Sequence, residues 1–158
     1  MGGICCPCTS GDDEDARLDV VDTFGDYRML NRRARKNQLG QIAAVCVSVY
    51  DGDTATFRVS MDDCATEVRI RFKGIDAPEI RSKSQLEKIA ALKAKLRLEQ
   101  LILNKECSLT DLGNDKYNGR YVATVMQGDT NICAEMLRAK YICKYNGKGA
   151  KKPFSERS

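Results

Sequence analysis

The chain has 158 residues, of which 42% are hydrophobic, enough for one domain core and a tail. It contains no histidine, which excludes His-based general bases, Ser-His or Cys-His pairs and His-ligated zinc. Its formal net charge is +4: residues 1–40 hold six basic and seven acidic side chains, and residues 41–158 hold twenty and fifteen. A mildly basic body fits a polyanionic partner, although an ordinary solvated surface explains it as well.

The sequence shows neither a membrane-spanning segment nor a secretory signal. No apolar run approaches the roughly 20 residues of a spanning helix, and the N-terminus lacks the apolar segment of a secretory signal. We therefore expect the cysteines of the body to be reduced, mostly buried thiols rather than disulfides.

The first eight residues carry the pattern of a lipid anchor. Loss of Met1 would expose Gly2 for N-myristoylation, and Cys5, Cys6 and Cys8 are candidate palmitoylation sites. A second acyl chain is needed because one myristoyl chain binds a bilayer only weakly. Cys6 stands where the usual motif has Ser or Thr. The alternatives to acylation are a disordered terminus and a cysteine metal site, which would lack a fourth ligand. The pattern predicts attachment to the cytoplasmic face of a membrane; a soluble cytoplasmic or nuclear protein is the alternative.

The remainder of the tail, up to residue 40, has two charged segments. Asp12 to Asp15 is an acidic run with the character of a spacer. Residues 28–36 are basic and have helical character, which suits contact with anionic lipid heads, nuclear targeting, nucleic-acid binding or a merely exposed helix. We assign residues 1–40 to the tail, 41–152 to the folded domain and 153–158 to a C-terminal tail.

Three strand-like runs open the domain. Residues 41–50 and 54–60 flank Asp51-Gly52-Asp53, a strong hairpin signal, and a polar connection over 61–65 leads to the third run. In that run Val68, Ile70 and Phe72 alternate with charged residues, as in a half-buried strand. The pattern predicts a meander with acidic clusters at the strand ends.

A helix of about five turns follows. Ser84-Gln85-Leu86-Glu87 matches a capping box. The helical spacing of the large apolar residues predicts an amphipathic helix that docks on the sheet through Leu86, Ile89, Leu92, Leu96 and Leu103.

Two more strands complete the predicted domain, over residues 107–112 and 121–126, and a second helix covers residues 131–140. This order predicts an α+β fold, mainly β: a five-stranded Greek-key barrel of the OB type with two to three packed helices. An SH3-like barrel has a similar strand pattern.

Three motifs in this order resemble the staphylococcal (thermonuclease-like) nuclease family, and the likeness runs from about Gln41 to Lys152. The motifs are Asp51-Gly52-Asp53-Thr54, then Arg71-Phe72-Lys73-Gly74-Ile75-Asp76-Ala77-Pro78-Glu79, then Asp115-Lys116-Tyr117-Asn118-Gly119-Arg120.

The resemblance implies a calcium-dependent endonuclease that acts on DNA and RNA, with single strands favoured. Nothing in the sequence suggests a partner subunit, so we expect a monomer. Matched by position, Asp53 and Asp76 would be the carboxylate ligands of Ca²⁺, and Ala77 would contribute its backbone carbonyl. Glu79 would orient or deprotonate the attacking water. These roles suit the chemistry, because Ca²⁺ prefers oxygen ligands and a carboxylate can act as a general base.

The same resemblance implies a set of phosphate contacts. Arg71 and Arg120 would bind the scissile phosphate, where fixed guanidinium groups stabilise developing charge. Lys116 and Tyr117 match positions that contact a terminal phosphate. Tyr145 is a candidate for stacking on a base, with core packing as the alternative.

Simpler interpretations stay open for single residues. Asp51-Gly52-Asp53 can be a hairpin turn without a metal role. Arg71 can be an outward strand charge that pairs with Glu67 or Glu99. Asn118 is an extra residue in its turn. A non-catalytic OB-fold module that binds nucleic acid or protein is the alternative to the nuclease.

Overall fold

Five strands close into a mixed barrel in the computed structural model, which describes residues 27–116 and 120–146. Three helices pack around this barrel in the described part of the chain. The elements in chain order are α1 (Tyr27–Arg33), β1 (Ile42–Val49), β2 (Thr54–Met61), β3 (Cys64–Phe72), β4 (Ile75–Asp76), α2 (Gln85–Ile102), β5 (Glu106–Asn114), β6 (Tyr121–Gln127), β7 (Thr130–Asn131), α3 (Ile132–Arg138) and β8 (Cys143–Lys144).

The predicted meander is confirmed as β1, β2 and β3, which pair antiparallel in sequence order. The second connection is tighter than the polar segment predicted over residues 61–65. Met61 already pairs with Cys64, and Asp62 and Asp63 form the turn with φ of 49° and 64°. Aspartate adopts this left-handed region more readily than most residues, and two such residues suit a hairpin that follows the strand twist.

The barrel closes through a parallel pairing of β3 with β6, in which Ile70 lies opposite Tyr121 and Phe72 opposite Ala123. Antiparallel pairs of β1 with β5 and of β5 with β6 complete the circle. The pairing register shifts in β1 between Cys46 and Ser48, and in β5 between Thr110 and Gly113. Such irregularities bend strands and help a small sheet to close. The OB-type fold is thereby confirmed.

Alternate strand residues fill the barrel interior. The rings of Phe57 and Phe72 lie 6.3 Å apart between centroids, among fully buried aliphatic side chains. The five cysteines of the described residues are free thiols, and three of them are buried. Burial raises the pKa of Cys46 to about 12, so this thiol stays protonated, as expected of a packing residue.

Helix α2 forms where predicted, but the predicted packing face is wrong. Ser84 caps its N-terminus by accepting a hydrogen bond from the N–H of Glu87 at 3.4 Å. Its buried residues are Ala91, Ala94, Leu98 and Ile102, whereas Leu86, Ile89, Leu92 and Leu96 are exposed. Leu103 lies just beyond the helix and packs against the core. The reason is steric, because Ala94 packs closely against the turn that contains Gly52.

The segment before β1 is also part of the folded body. Sequence analysis assigned residues 27–40 to the tail. The structure instead buries Leu30 and Ala34 in the core, and the N–H of Arg35 donates to the carbonyl of Ser60 at 2.7 Å. The basic residues of 28–36 thus surround a short helix whose apolar positions hold it on the barrel.

The second predicted helix is confirmed as α3, with Asn131 as its N-cap. Within the part of the chain that the structure covers, no helix combines the length and the apolar character needed to cross a bilayer.

Candidate active site

The turn between β1 and β2 holds Asp53 inside the protein. The N–H of Tyr50 donates to the carbonyl of Thr54 at 2.9 Å and closes the hairpin, and Asp51 Oδ1 accepts the N–H of Asp53 at 3.0 Å. An aspartate that bonds its own backbone two residues on stabilises such a turn. Burial, followed by the neighbouring Asp53 carboxylate, raises the pKa of Asp51 to about 7. Asp51 thus shapes the turn, while Asp53 is left only 4% exposed.

The carboxylate of Asp53 links the hairpin to a distant segment. Its Oδ1 accepts the hydroxyl of Thr54 at 2.8 Å, and its Oδ2 accepts the N–H of Ala77 at 3.0 Å. Its backbone carbonyl also accepts the N–H of Phe72 at 2.8 Å. These bonds satisfy a buried charged group, which would otherwise strongly destabilise the fold.

Asp76 lies on the two-residue strand β4, which pairs antiparallel with β8. Cys143 of β8 pairs with Asp76, and its thiol donates to the Asp76 carbonyl at 3.5 Å. The N–H of Tyr145 donates to the carbonyl of Gly74 at 3.0 Å. Gly74 has φ of 79°, which lets the chain turn sharply between β3 and β4. Asp76 is 2% exposed as a result.

Arg71, at the end of β3, joins the two buried carboxylates. A single atom, Arg71 Nη2, lies 3.0 Å from Asp76 Oδ1 and 3.3 Å from Asp53 Oδ2. Burial alone would lower the pKa of Arg71, but the carboxylates of Asp53 and Asp76 outweigh it and raise the pKa above its ordinary value, with a smaller contribution from Asp115. The arginine does not pair with Glu67, which instead meets Arg58 at 3.1 Å.

Arg120 reaches the same region through Asp115. Its Nη2 lies 2.7 Å from Asp115 Oδ2, and the N–H of Asp115 donates to the Arg120 carbonyl at 3.3 Å. Asp115 is close enough to act on the pKa of Arg71. Asp115 therefore interacts with both guanidinium groups, and Arg120 belongs to a loop more than forty residues later in the chain than Arg71.

Glu79 is exposed and follows the buried Asp76 by three residues, so its segment is here called the rim of the site. Glu87 of α2 fixes its backbone, because one carboxylate oxygen accepts the N–H of Glu79 at 3.2 Å and the other accepts the hydroxyl of Ser82. The side chain of Glu87 thus connects the segment of Glu79 to helix α2.

The predicted terminal-phosphate contacts are only partly described. Lys116 is exposed, and its N–H donates to Asp115 Oδ1 at 2.7 Å. Tyr145 is half-buried beside the turn at Gly74. Tyr117 and the extra residue Asn118 lie outside the described residues. The predicted acylation sites Gly2, Cys5, Cys6 and Cys8 also lie outside them.

Gly52 explains why α2 turns its small residues inward. A Cβ at position 52 would lie 2.8 Å from the Cβ of Ala94 and 2.9 Å from the Cβ of Ala77. Helix α2 therefore passes directly under the turn that carries Asp53. A leucine in place of Ala94 would push the helix away from the site, so the position of α2 that faces this turn must hold a small residue.

Sequence reasoning missed three residues that hold the site in place. Thr54 and Asp115 were quoted within motifs without a role, and Glu87 was interpreted only as part of a capping box. Its carboxylate reaches the loop before the helix, at Ser82 and Glu79. The capping box was the available signal, because a glutamate at its third position points back over the N-terminus.

The donors of the cluster fit a hard cation. Asp53 and Asp76 already converge on one positively charged atom, which marks a position between them that suits positive charge. Across residues 27–116 and 120–146, no three acidic or cysteine side chains gather into a metal site. Two carboxylates would therefore be the charged donors, and Ca²⁺, which takes six to eight oxygens, would need carbonyl, water or substrate oxygens as well.

A family model described as a staphylococcal nuclease homologue matches residues 69–154, which is 86 of the 158 residues. The chain belongs to the staphylococcal nuclease family. No curated protein matches the chain. The part that matches staphylococcal nuclease includes Arg71, Asp76 and Arg120. Asp53 precedes it, and the structure places this residue in the same cluster through Arg71 and the N–H of Ala77.

We predict that Gly52→Ala lowers the free energy of unfolding of this staphylococcal nuclease homologue by about 1–3 kcal/mol, because the added methyl group overpacks the contact with Ala77 and Ala94. Urea unfolding measures the loss. Gly113→Ala is the matched control: its Cβ would meet nothing within 4 Å, so a change of less than about 1 kcal/mol is expected. Equal stabilities of the two variants would contradict this packing.

Proposed function

We propose that this chain is a calcium-dependent endonuclease that hydrolyses phosphodiester bonds of DNA and RNA, with single strands favoured, and acts as a monomer. The observation that carries the proposal is the convergence on one guanidinium of two buried carboxylates from separate parts of the chain. Arg120, held nearby by Asp115, adds a second guanidinium. Family membership supports nuclease chemistry on nucleic acid.

Arg71 and Arg120 supply two guanidinium groups, which suit a phosphodiester. Each can donate several hydrogen bonds in a fixed fork, so Arg71 can contact its carboxylates and a phosphate oxygen together. Because Asp53 and Asp76 hold Arg71, and Asp115 holds Arg120, both groups are oriented before substrate arrives. Preorganised positive charge lowers the barrier, since negative charge builds up on the phosphate oxygens in the transition state.

Glu79 is the residue proposed to orient or deprotonate the attacking water. It is exposed at the rim, where substrate and water have access, and the hydrogen bond from its N–H to Glu87 fixes its backbone. No histidine exists to take this role. A carboxylate within hydrogen-bond reach of the water is a sufficient general base.

Asp53, Asp76 and the backbone carbonyl of Ala77 are the residues proposed to hold Ca²⁺. When bound, the ion would supply Lewis-acid stabilisation of the phosphate oxygens. With two charged ligands, binding is expected to be weak in the absence of substrate, because calcium affinity follows the number of charged ligands. Lys116, Tyr117 and Tyr145 are proposed to contact the substrate beyond the scissile phosphate, through a terminal phosphate and a stacked base.

The test is cleavage of a single-stranded oligonucleotide by the full chain, in Ca²⁺ and in excess chelator. Cutting is expected only with Ca²⁺. Asp53→Asn should abolish it, and Glu79→Gln should lower the turnover rate by about 10²–10³ while oligonucleotide affinity is largely retained.

Asp63→Asn is the matched control for the acidic variants. Residue 63 is exposed, lies in the turn before β3 and has φ of 64°, which asparagine tolerates, so the rate should stay within about twofold. Equal cleavage in Ca²⁺ and chelator would contradict the proposal. Tight oligonucleotide binding without turnover at saturating Ca²⁺ would favour a non-catalytic binding module instead.

The same proposal includes a membrane anchor formed by acylation of Gly2 and of one or more of Cys5, Cys6 and Cys8, on the cytoplasmic face. It is supported by the sequence pattern alone.

In a eukaryotic host, Gly2→Ala should move the protein from a salt-washed membrane fraction to the soluble fraction, because it removes the myristoylation site. Gly3→Ala leaves Gly2 in place and should stay with the membranes. A Gly2→Ala protein that remains in the washed membranes would rule this anchor out, and accumulation in nuclei would give the basic segment another role.

A further inference from the structure

Helix α2 presents a row of large apolar side chains to solvent. The four residues, here called the leucine stripe, are exposed by 74%, 43%, 51% and 57%: Leu86, Ile89, Leu92 and Leu96. Their spacing of three or four residues places them along one side of the helix. Single exposed leucines are common on protein surfaces, but a contiguous apolar row usually marks a contact surface.

The stripe cannot turn inward, because the opposite face of α2 is fixed by the site. Ala94 packs against the turn at Gly52, where even a methyl group would clash, and Leu98 and Ile102 are fully buried. At 100° per residue, Ile89, Leu92 and Leu96 lie opposite these buried positions. Rotating the helix to bury the stripe would disrupt the turn that holds Asp53.

Positive charge borders the stripe on both sides. By helical spacing, Lys93 lies along one edge, and Lys88 and Lys95 lie along the other. Helix α2 has two acidic residues. Glu87 accepts the hydroxyl of Ser82 in the preceding loop, away from the stripe, and Glu99 lies 3.9 Å from Lys95 along its edge. The outward face of α2 is therefore apolar along its centre, with Lys93 at one margin and Lys88 together with the Lys95–Glu99 pair at the other.

We infer that the leucine stripe and its bordering lysines rest on an anionic lipid surface, with α2 lying in the plane of the interface. Apolar side chains at the centre and lysines at the margins are the pattern of interfacial helices, whose leucines enter the acyl boundary while lysines reach the headgroups.

The size and shape of the stripe favour lipid over a protein partner. A stable protein complex buries about 800 Å² on each side, more than four partly exposed side chains offer. The stripe is also convex, since it lies along the outer face of a single helix, whereas peptides and helices commonly bind in grooves. A lipid surface needs no matching groove and adds contact in proportion to the apolar area inserted.

Lipid contact through α2 would also orient the site. The helix begins six residues after Glu79, and Glu87 in its first turn bonds the backbone of Glu79. A helix lying on the membrane would therefore hold the rim of the site beside the lipid surface. This contact is separate from the proposed acylation and from catalysis, so it can be tested without either.

The test uses the full-length chain made in a bacterial host without acyltransferases for this motif, and vesicles of phosphatidylcholine with or without phosphatidylserine. Co-sedimentation at low salt should show binding that requires phosphatidylserine and weakens as salt is added. The double variant Leu92→Gln/Leu96→Gln should bind the anionic vesicles at least about tenfold more weakly, since it removes two inserted side chains.

Leu39→Gln is the matched control, because Leu39 is 79% exposed but lies before β1, away from α2. Its vesicle binding should equal that of the unmodified chain. Thermal unfolding confirms that each variant is folded, which is expected because all three side chains are exposed.

Three results would overturn the inference. The first is equal vesicle binding by the double variant and the unmodified chain. The second is self-association in ultracentrifugation that the double variant abolishes, which would make the stripe an interface between two copies. The third is vesicle binding that appears only after deletion of residues 2–26, which would mean that the chain's own acidic segment covers the stripe.

Discussion

The pairing of Arg71 with two buried carboxylates is the interaction around which this barrel is arranged. Asp53 and Asp76 are almost completely inaccessible, and two uncompensated negative charges there would strongly oppose folding. Three parts of the fold meet to compensate these charges: the β1–β2 turn, the end of β3, and the segment of β4. Strand β4 is in turn paired with β8. The same convergence underlies the cation and phosphate site that we propose.

Local patterns were sufficient to predict most of the fold. The Asp-Gly-Asp turn, the alternation of Val68, Ile70 and Phe72, and the Ser84 cap each correspond to an observed element. Strand pairings between distant segments could not be predicted from the sequence, because a local pattern does not specify which strands pair. The parallel closure of β3 on β6 and the pairing of β8 with β4 belong to this class.

The error on helix α2 has a physical explanation. Periodicity indicates which residues share a face, and the largest apolar residues ordinarily form the buried one. Here the close approach at Gly52 requires a small residue at position 94. The buried face of α2 is therefore Ala91 and Ala94 followed by Leu98 and Ile102, whereas Leu86, Ile89, Leu92 and Leu96 face outward. A sequence pattern cannot reveal how near a helix must come to a functional turn. For the site, motif resemblance indicated its residues, but the roles of Glu87 and Asp115 required coordinates.

The most direct test of this account is calcium binding itself, measured by calorimetry on the unmodified chain and on Asp76→Asn. If Asp53 and Asp76 jointly hold the ion, the unmodified chain should bind one Ca²⁺, and the folded variant should bind it at least about tenfold more weakly, because one of two charged ligands is lost. Undiminished binding by a folded Asp76→Asn, or none by the unmodified chain even with an oligonucleotide present, would contradict the account.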